Sequence, residues 1–155
     1  MDYTVLKTLH ILSAIFLFGT GFGSAFYKFF TDRTGSVESI ATTNRLVVWA
    51  DWLFTTPTVI LQPLTGYAMV YLAGWPPTTP WLMAALALYL LAGACWLPVV
   101  FLQIRMRDSS VDALRAGTPL PVEYQRQARI WTWLGMPAFA AMILAVVLMV
   151  LKPTL

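Results

Sequence analysis

Four stretches of nearly unbroken apolar residues organise the chain: Tyr3–Phe30, Leu46–Ala73, Trp81–Ile104 and Ile130–Leu151. Each is long enough to cross a bilayer, which takes about 20 residues in helical form. Helices are expected because a lipid-exposed segment must satisfy its backbone polar groups internally. The first two stretches exceed the minimum and predict tilt or projection into the headgroups. The pattern predicts an all-α integral membrane four-helix bundle, a single membrane domain over residues 1–155. Its connections are expected at Thr31–Arg45, Gly74–Pro80 and Arg105–Arg129.

A pitch of about 100° per residue sorts each stretch into faces. On the first, Lys7, His10, Ser13, Ala14, Leu17, Gly21, Ser24, Ala25 and Lys28 form a small and polar stripe. Ile11, Ile15, Phe18, Phe22 and Phe26 lie opposite and are expected to meet lipid. The polar stripe is expected to meet other helices. Gly19 and Gly23 stand four apart on a third side, a spacing that suits close helix approach and permits a homodimer. The second stretch carries a similar stripe of Asp51, Thr55, Thr58, Gln62, Thr65 and Met69, with Pro57 and Pro63 predicting bends.

Composition identifies the solvent. Of 155 residues, 59% are hydrophobic and 11% charged, whereas a soluble domain is about 25% charged. Such a chain could not cover a soluble surface, so its main partner is the lipid bilayer. Lys28, Arg33 and Arg45 flank or occupy the first connection. Arg105, Arg107, Arg115, Arg126 and Arg129 occupy the third, and the middle connection has no basic residue. Positive loops stay in the cytoplasm, so both termini and Gly74–Pro80 are expected on the periplasmic side of a bacterial inner (plasma) membrane. The net charge of +3 is then a topology signal and implies no nucleic-acid partner. Trp75 and Trp81 fit the interfacial aromatic belt on the outer side. The single Cys95 excludes an intrachain disulfide. Asp2 spoils a basic leader region and no A-x-A site follows, so the first stretch is expected to stay uncleaved.

The chemistry centres on His10, the only histidine. An ionisable side chain in a membrane helix needs a partner, a ligand or water. Imidazole and thioether suit haem iron and also copper. Met69 is expected at a depth close to His10, with Met83 and Met149 also near the outer surface. The same position equally suits a ring that hydrogen-bonds a neighbouring helix. Asp51, near the cytoplasmic end of its stretch, reads as an ion-pair partner of Lys28, Arg45, Arg105 or Arg129, or as a proton relay. Gln62 is expected to hydrogen-bond across helices. One histidine excludes a three-histidine zinc site and a bis-histidine haem within one chain. No phosphate-binding, zinc-protease or nucleophile-elbow motif occurs.

Several motifs resemble a known group. Leu6-Lys7-x-x-His10-Ile11, Thr56-Pro57 with Gly66, Trp81-Leu82 and Lys152-Pro153 distantly resemble the HemJ-type protoporphyrinogen oxidases and the broader CopD-like superfamily. The runs Ala50–Gly66, Gly93–Asp108 and Ala128–Phe139 more closely resemble an uncharacterised bacterial family of predicted integral membrane proteins, which brings no activity with it. The HemJ resemblance implies haem b held by His10 and an oxidoreductase passing electrons onward, with a quinone or respiratory-chain partner. The position matching that group's third-helix lysine is Ala85 here. On this reading Met69 is a second ligand, and Lys7 pairs with a haem propionate. Ser13, Ala14 and Gly21 leave room for the macrocycle. The CopD-like resemblance implies a copper or small-solute transporter. A third reading is a non-catalytic membrane subunit or assembly factor in which His10 only joins helices.

Overall fold

The computed structural model describes residues 2–153, and all the regular elements among them are helical. Helix α1 covers Tyr3–Thr31 and α2 covers Val37–Ala50. A π-helical turn, Asp51–Thr55, leads without interruption into α3, Thr56–Leu72. The long helices α4, Pro80–Ala116, and α5, Val122–Leu151, complete the chain. Three of these, α1, α4 and α5, are long and apolar enough to cross a membrane.

The helices run past the apolar stretches that nucleate the reading of the sequence. The expected connections Thr31–Arg45 and Arg105–Arg129 are therefore corrected: α2 begins at Val37, α4 continues to Ala116 and α5 starts at Val122. Hydrophobicity marks where lipid lies, not where the backbone stops coiling. Polar residues continue a helix readily until something breaks it. The breaks here are glycines in the left-handed region, Gly35 at φ 73° and Gly117 at φ 64°, a conformation that costs other residues energy. Ser36 then starts α2 by accepting a hydrogen bond from Ser39 N at 3.2 Å.

The second predicted span is also more complex than one rod. Pro57 has no N–H and its ring would crowd the carbonyl one turn back. The chain answers with a wider turn: Thr56 N–H reaches back to Asp51 O. The Thr58 hydroxyl lies 2.7 Å from Phe54 O and 2.9 Å from Thr55 O, which helps satisfy carbonyls next to the proline. α3 alone has 17 residues, about 26 Å at 1.5 Å per residue.

The chain divides into two compact units. Residues up to Trp75, with Arg107–Leu120, form the first. Within it α1 packs along α2, the π turn and α3. The helices are antiparallel, since Thr31 meets Thr43 while His10 meets Thr65. Residues Pro76–Met106 and Pro121–Leu155 form the second unit, built from most of α4 and all of α5. On α4, Ala85, Ala92, Val99, Met106 and Ala113 are buried at every seventh position, a stripe of mainly small residues of the kind that lets membrane helices approach closely. Large side chains such as Phe22, Ile15, Leu90 and Phe101 point outward.

Candidate functional site

The interface between α1 and α3 is polar along its length. Asp51, Thr55, Thr58, Gln62 and Thr65 are all buried, and their spacing of three or four residues puts them on one face. Opposite them on α1 stand Ser13, buried, and His10, half-buried. Ile11, Ile15 and Phe22 are exposed on the far side. The periodicity of the sequence thus matches the faces of α1 in the fold. Phe18, expected with the lipid-facing set, is half-buried.

His10 is fixed at two points. Its backbone carbonyl accepts from Gln62 Nε2 at 3.0 Å, and the same amide lies 3.3 Å from Ser13 Oγ. Its ring Nδ1 lies 2.8 Å from Thr65 Oγ1. The Thr65 hydroxyl proton has its own acceptor, Leu61 O at 2.7 Å. A hydroxyl carries one proton, so when that proton is donated to Leu61 O, Thr65 Oγ1 can meet the ring only as an acceptor of Nδ1–H. In that arrangement the ring proton sits on Nδ1 and the Nε2 lone pair is left over. No hydrogen bond to Nε2 occurs among the described residues. Gly66 completes the cradle, since a Cβ there would stand 3.4 Å from His10 Cε1. That is an ordinary contact, so the space beside the ring admits one methyl group.

The other candidate residues distribute around this point. Lys7 is exposed one turn from His10, and Ala14 and Gly21 are half-buried. Space is open where a Cβ would stand on Gly21. Ser13 lies against α3, its hydroxyl donating to Thr58 O at 3.4 Å. Met69 is half-buried. It stands one turn beyond Thr65 on α3, which in an antiparallel pair places it one turn from His10, level with Leu6. Asp51 lies on the π turn and accepts from Thr55 Oγ1 at 2.8 Å.

Two features escaped the reading of the sequence. Lys28, 1% exposed, forms an ion pair with Asp32, 17% exposed, at 2.8 Å. The signal was the spacing of four residues, hidden because Asp32 lies just beyond the apolar stretch. Asn44 Nδ2 also donates to Ser110 Oγ at 3.1 Å, joining α2 to the end of α4 inside the first unit. No spacing in the chain predicts that long-range pair.

Three helices of membrane-crossing length, with hydroxyls, an amide and one imidazole along the seam between α1 and α3, define an integral membrane protein. The chain belongs to the DUF2269 family of predicted integral membrane proteins, which matches residues 4–153. No curated protein and no solved structure matches it.

Proposed function

We propose that this chain is a multi-pass redox protein of the bacterial inner membrane that binds haem b through His10 Nε2. The run Leu46–Ala73 makes the fourth crossing, and both termini lie outside. The reading rests on the distant likeness of Lys7, His10 and Thr56-Pro57 to HemJ-type proteins. One observation carries it: ring Nδ1 lies 2.8 Å from Thr65 Oγ1, an acceptor whenever its own proton is donated to Leu61 O. Ligating histidines characteristically donate their second ring N–H to a fixed acceptor, which sets the tautomer and raises ligand basicity. A single imidazole is a donor set that fits a porphyrin. Among the described residues no three His, Cys, Asp or Glu meet, whereas a porphyrin brings four nitrogens of its own.

When bound, haem would supply one-electron chemistry. The chain's own Thr65 orients the imidazole, and Gln62 holds the His10 backbone carbonyl. Lys7, exposed toward the outer end of α1, offers an ammonium to a propionate. Met69 is the proposed second ligand. Porphyrinogen oxidation is not part of the proposal, since Ala85 is buried and carries no proton-transfer group where the HemJ-type lysine stands.

The test is optical. Protein extracted from haem-replete cells is expected to show a Soret band that His10→Ala abolishes. Wild-type and His10→Ala samples with the same empty spectrum would overturn the reading. Stoichiometric copper after equilibration with Cu(I) would favour transport instead. Recovery of a stable partner protein with no cofactor would favour a subunit role.

A further inference from the structure

The second unit holds a feature unrelated to His10. A shallow open groove of about 420 Å³ runs between α4 and α5, lined by Pro98, Phe101, Leu102, Ile130 and Leu134 and bounded by Arg105. A proline forms part of its wall. Pro98 sits inside α4, where its missing N–H and bulky ring disturb helix packing. Phe101 and Ile130 remain exposed beside it. In water such an apolar trough would be a liability, but in a bilayer it has the dimensions and chemistry of a seat for a hydrocarbon chain.

Charge selects which lipid. Arg105 follows directly on the apolar stretch that ends at Ile104, so it stands at headgroup depth. Among the described residues no carboxylate lies within ion-pair distance of Arg105, whereas Arg107 is held by Asp108 at 2.8 Å. Arg126 lies one helical turn before Ile130 and two before Leu134, so it extends the groove-lining face of α5 past the same end. It is exposed and only loosely paired with Glu123, at 3.9 Å. Two guanidiniums thus frame one end of the trough, and guanidinium forks match phosphate oxygens in geometry and charge.

We propose that the α4–α5 groove is a binding site for an anionic glycerophospholipid, one acyl chain lying on Pro98, Phe101 and Leu134 and the phosphate held by Arg105 with Arg126. Basic pockets between membrane helices are a recurrent way of holding anionic headgroups. The inference needs only the membrane location of the protein and is independent of any cofactor at His10.

Native mass spectrometry of the full chain in detergent, titrated with phosphatidylglycerol or phosphatidylcholine of identical chains, tests it. The wild type is expected to take up the first phosphatidylglycerol about five-fold more strongly, the factor equivalent to one basic residue's pull on an anionic lipid. Arg105→Gln should lower phosphatidylglycerol uptake more than phosphatidylcholine uptake, which also offers a phosphate, and so remove most of that preference, while Arg105→Lys retains it. Leu134→Trp, which fills the trough, should lower uptake of both lipids. Circular dichroism of each variant confirms helical content first. Equal uptake of the two lipids by the wild type overturns the proposal, as does an Arg105→Gln variant with undiminished preference. Unchanged uptake by Leu134→Trp would show that the lipid lies elsewhere on the helices and would equally overturn it.

Discussion

Replacing Thr65 by Val removes one hydroxyl and keeps the β-branched shape. That oxygen lies 2.8 Å from His10 Nδ1, well inside the preferred range for a hydrogen bond, and the tautomer under test is the one in which Nδ1–H donates to it. Leu61 O, which takes the hydroxyl proton at 2.7 Å, is a helical carbonyl and keeps its backbone partner. The loss therefore falls on the imidazole. Interhelical polar pairs in membranes average about 0.6 kcal/mol and reach about 1.7. A short contact on a half-buried ring belongs in the upper part of that range, about 1–1.5 kcal/mol. Since about 1.4 kcal/mol is tenfold in an equilibrium, the tautomer ratio should move about five- to twelve-fold toward Nε2–H. His10 is the only histidine, so nitrogen NMR of isotope-labelled protein reports one ring without assignment. The wild type should carry its proton on Nδ1, and Thr65→Val should lose that bias. In detergent unfolding, the variant should cost about 1–1.5 kcal/mol in the wild-type background and nearly nothing beside His10→Ala. A wild-type ring protonated on Nε2, or the same cost in both backgrounds, would refute the assignment.

Two further outcomes follow from the same seam. Gly66→Ala should be neutral or slightly stabilising, because its Cβ meets His10 Cε1 at an ordinary 3.4 Å and alanine favours the helix by up to about 1 kcal/mol. Gly66→Val places its extra methyls in the ring's space and should break the Nδ1–Thr65 bond, read in the same NMR spectrum. Pro57→Ala restores an N–H and should let the π turn relax to α-helix, rotating residue 51 by about 100°. An Asp51→Cys probe, with Cys95 replaced by Ala, should be protected from a thiol reagent beside Pro57 and reactive in the Pro57→Ala background. Protection in both would mean that the proline does not hold the turn.

Legibility in the sequence followed the range of the physics. Lipid as solvent was fixed by composition. Period sorted most of the faces of α1, because burial of Ser13 and exposure of Ile15 repeat the order of residues along a helix, but Lys7 of the inward stripe is exposed and Phe18 of the outward set is half-buried. The stripe from Asp51 to Thr65 was readable for the same reason. Its meeting with α1 was only an expectation, because no local rule sets the register between two helices. Packing supplied that register and brought Thr65, not Met69, to His10 Nδ1.

The tertiary structure alone decided three matters. It placed the π turn at Asp51–Thr55, where Pro57's missing donor had to be accommodated against a packed neighbour. It made Asp32 the ion-pair partner of Lys28, a carboxylate that apolar boundaries had assigned to a loop. It brought Pro98, Phe101 and Leu102 of α4 beside Ile130 and Leu134 of α5 as the walls of one trough that includes Arg105. Sequence determines which surface of each helix is apolar because that is a property of one segment. Which surfaces then face each other depends on the shapes of two segments at once, and only folding resolves it.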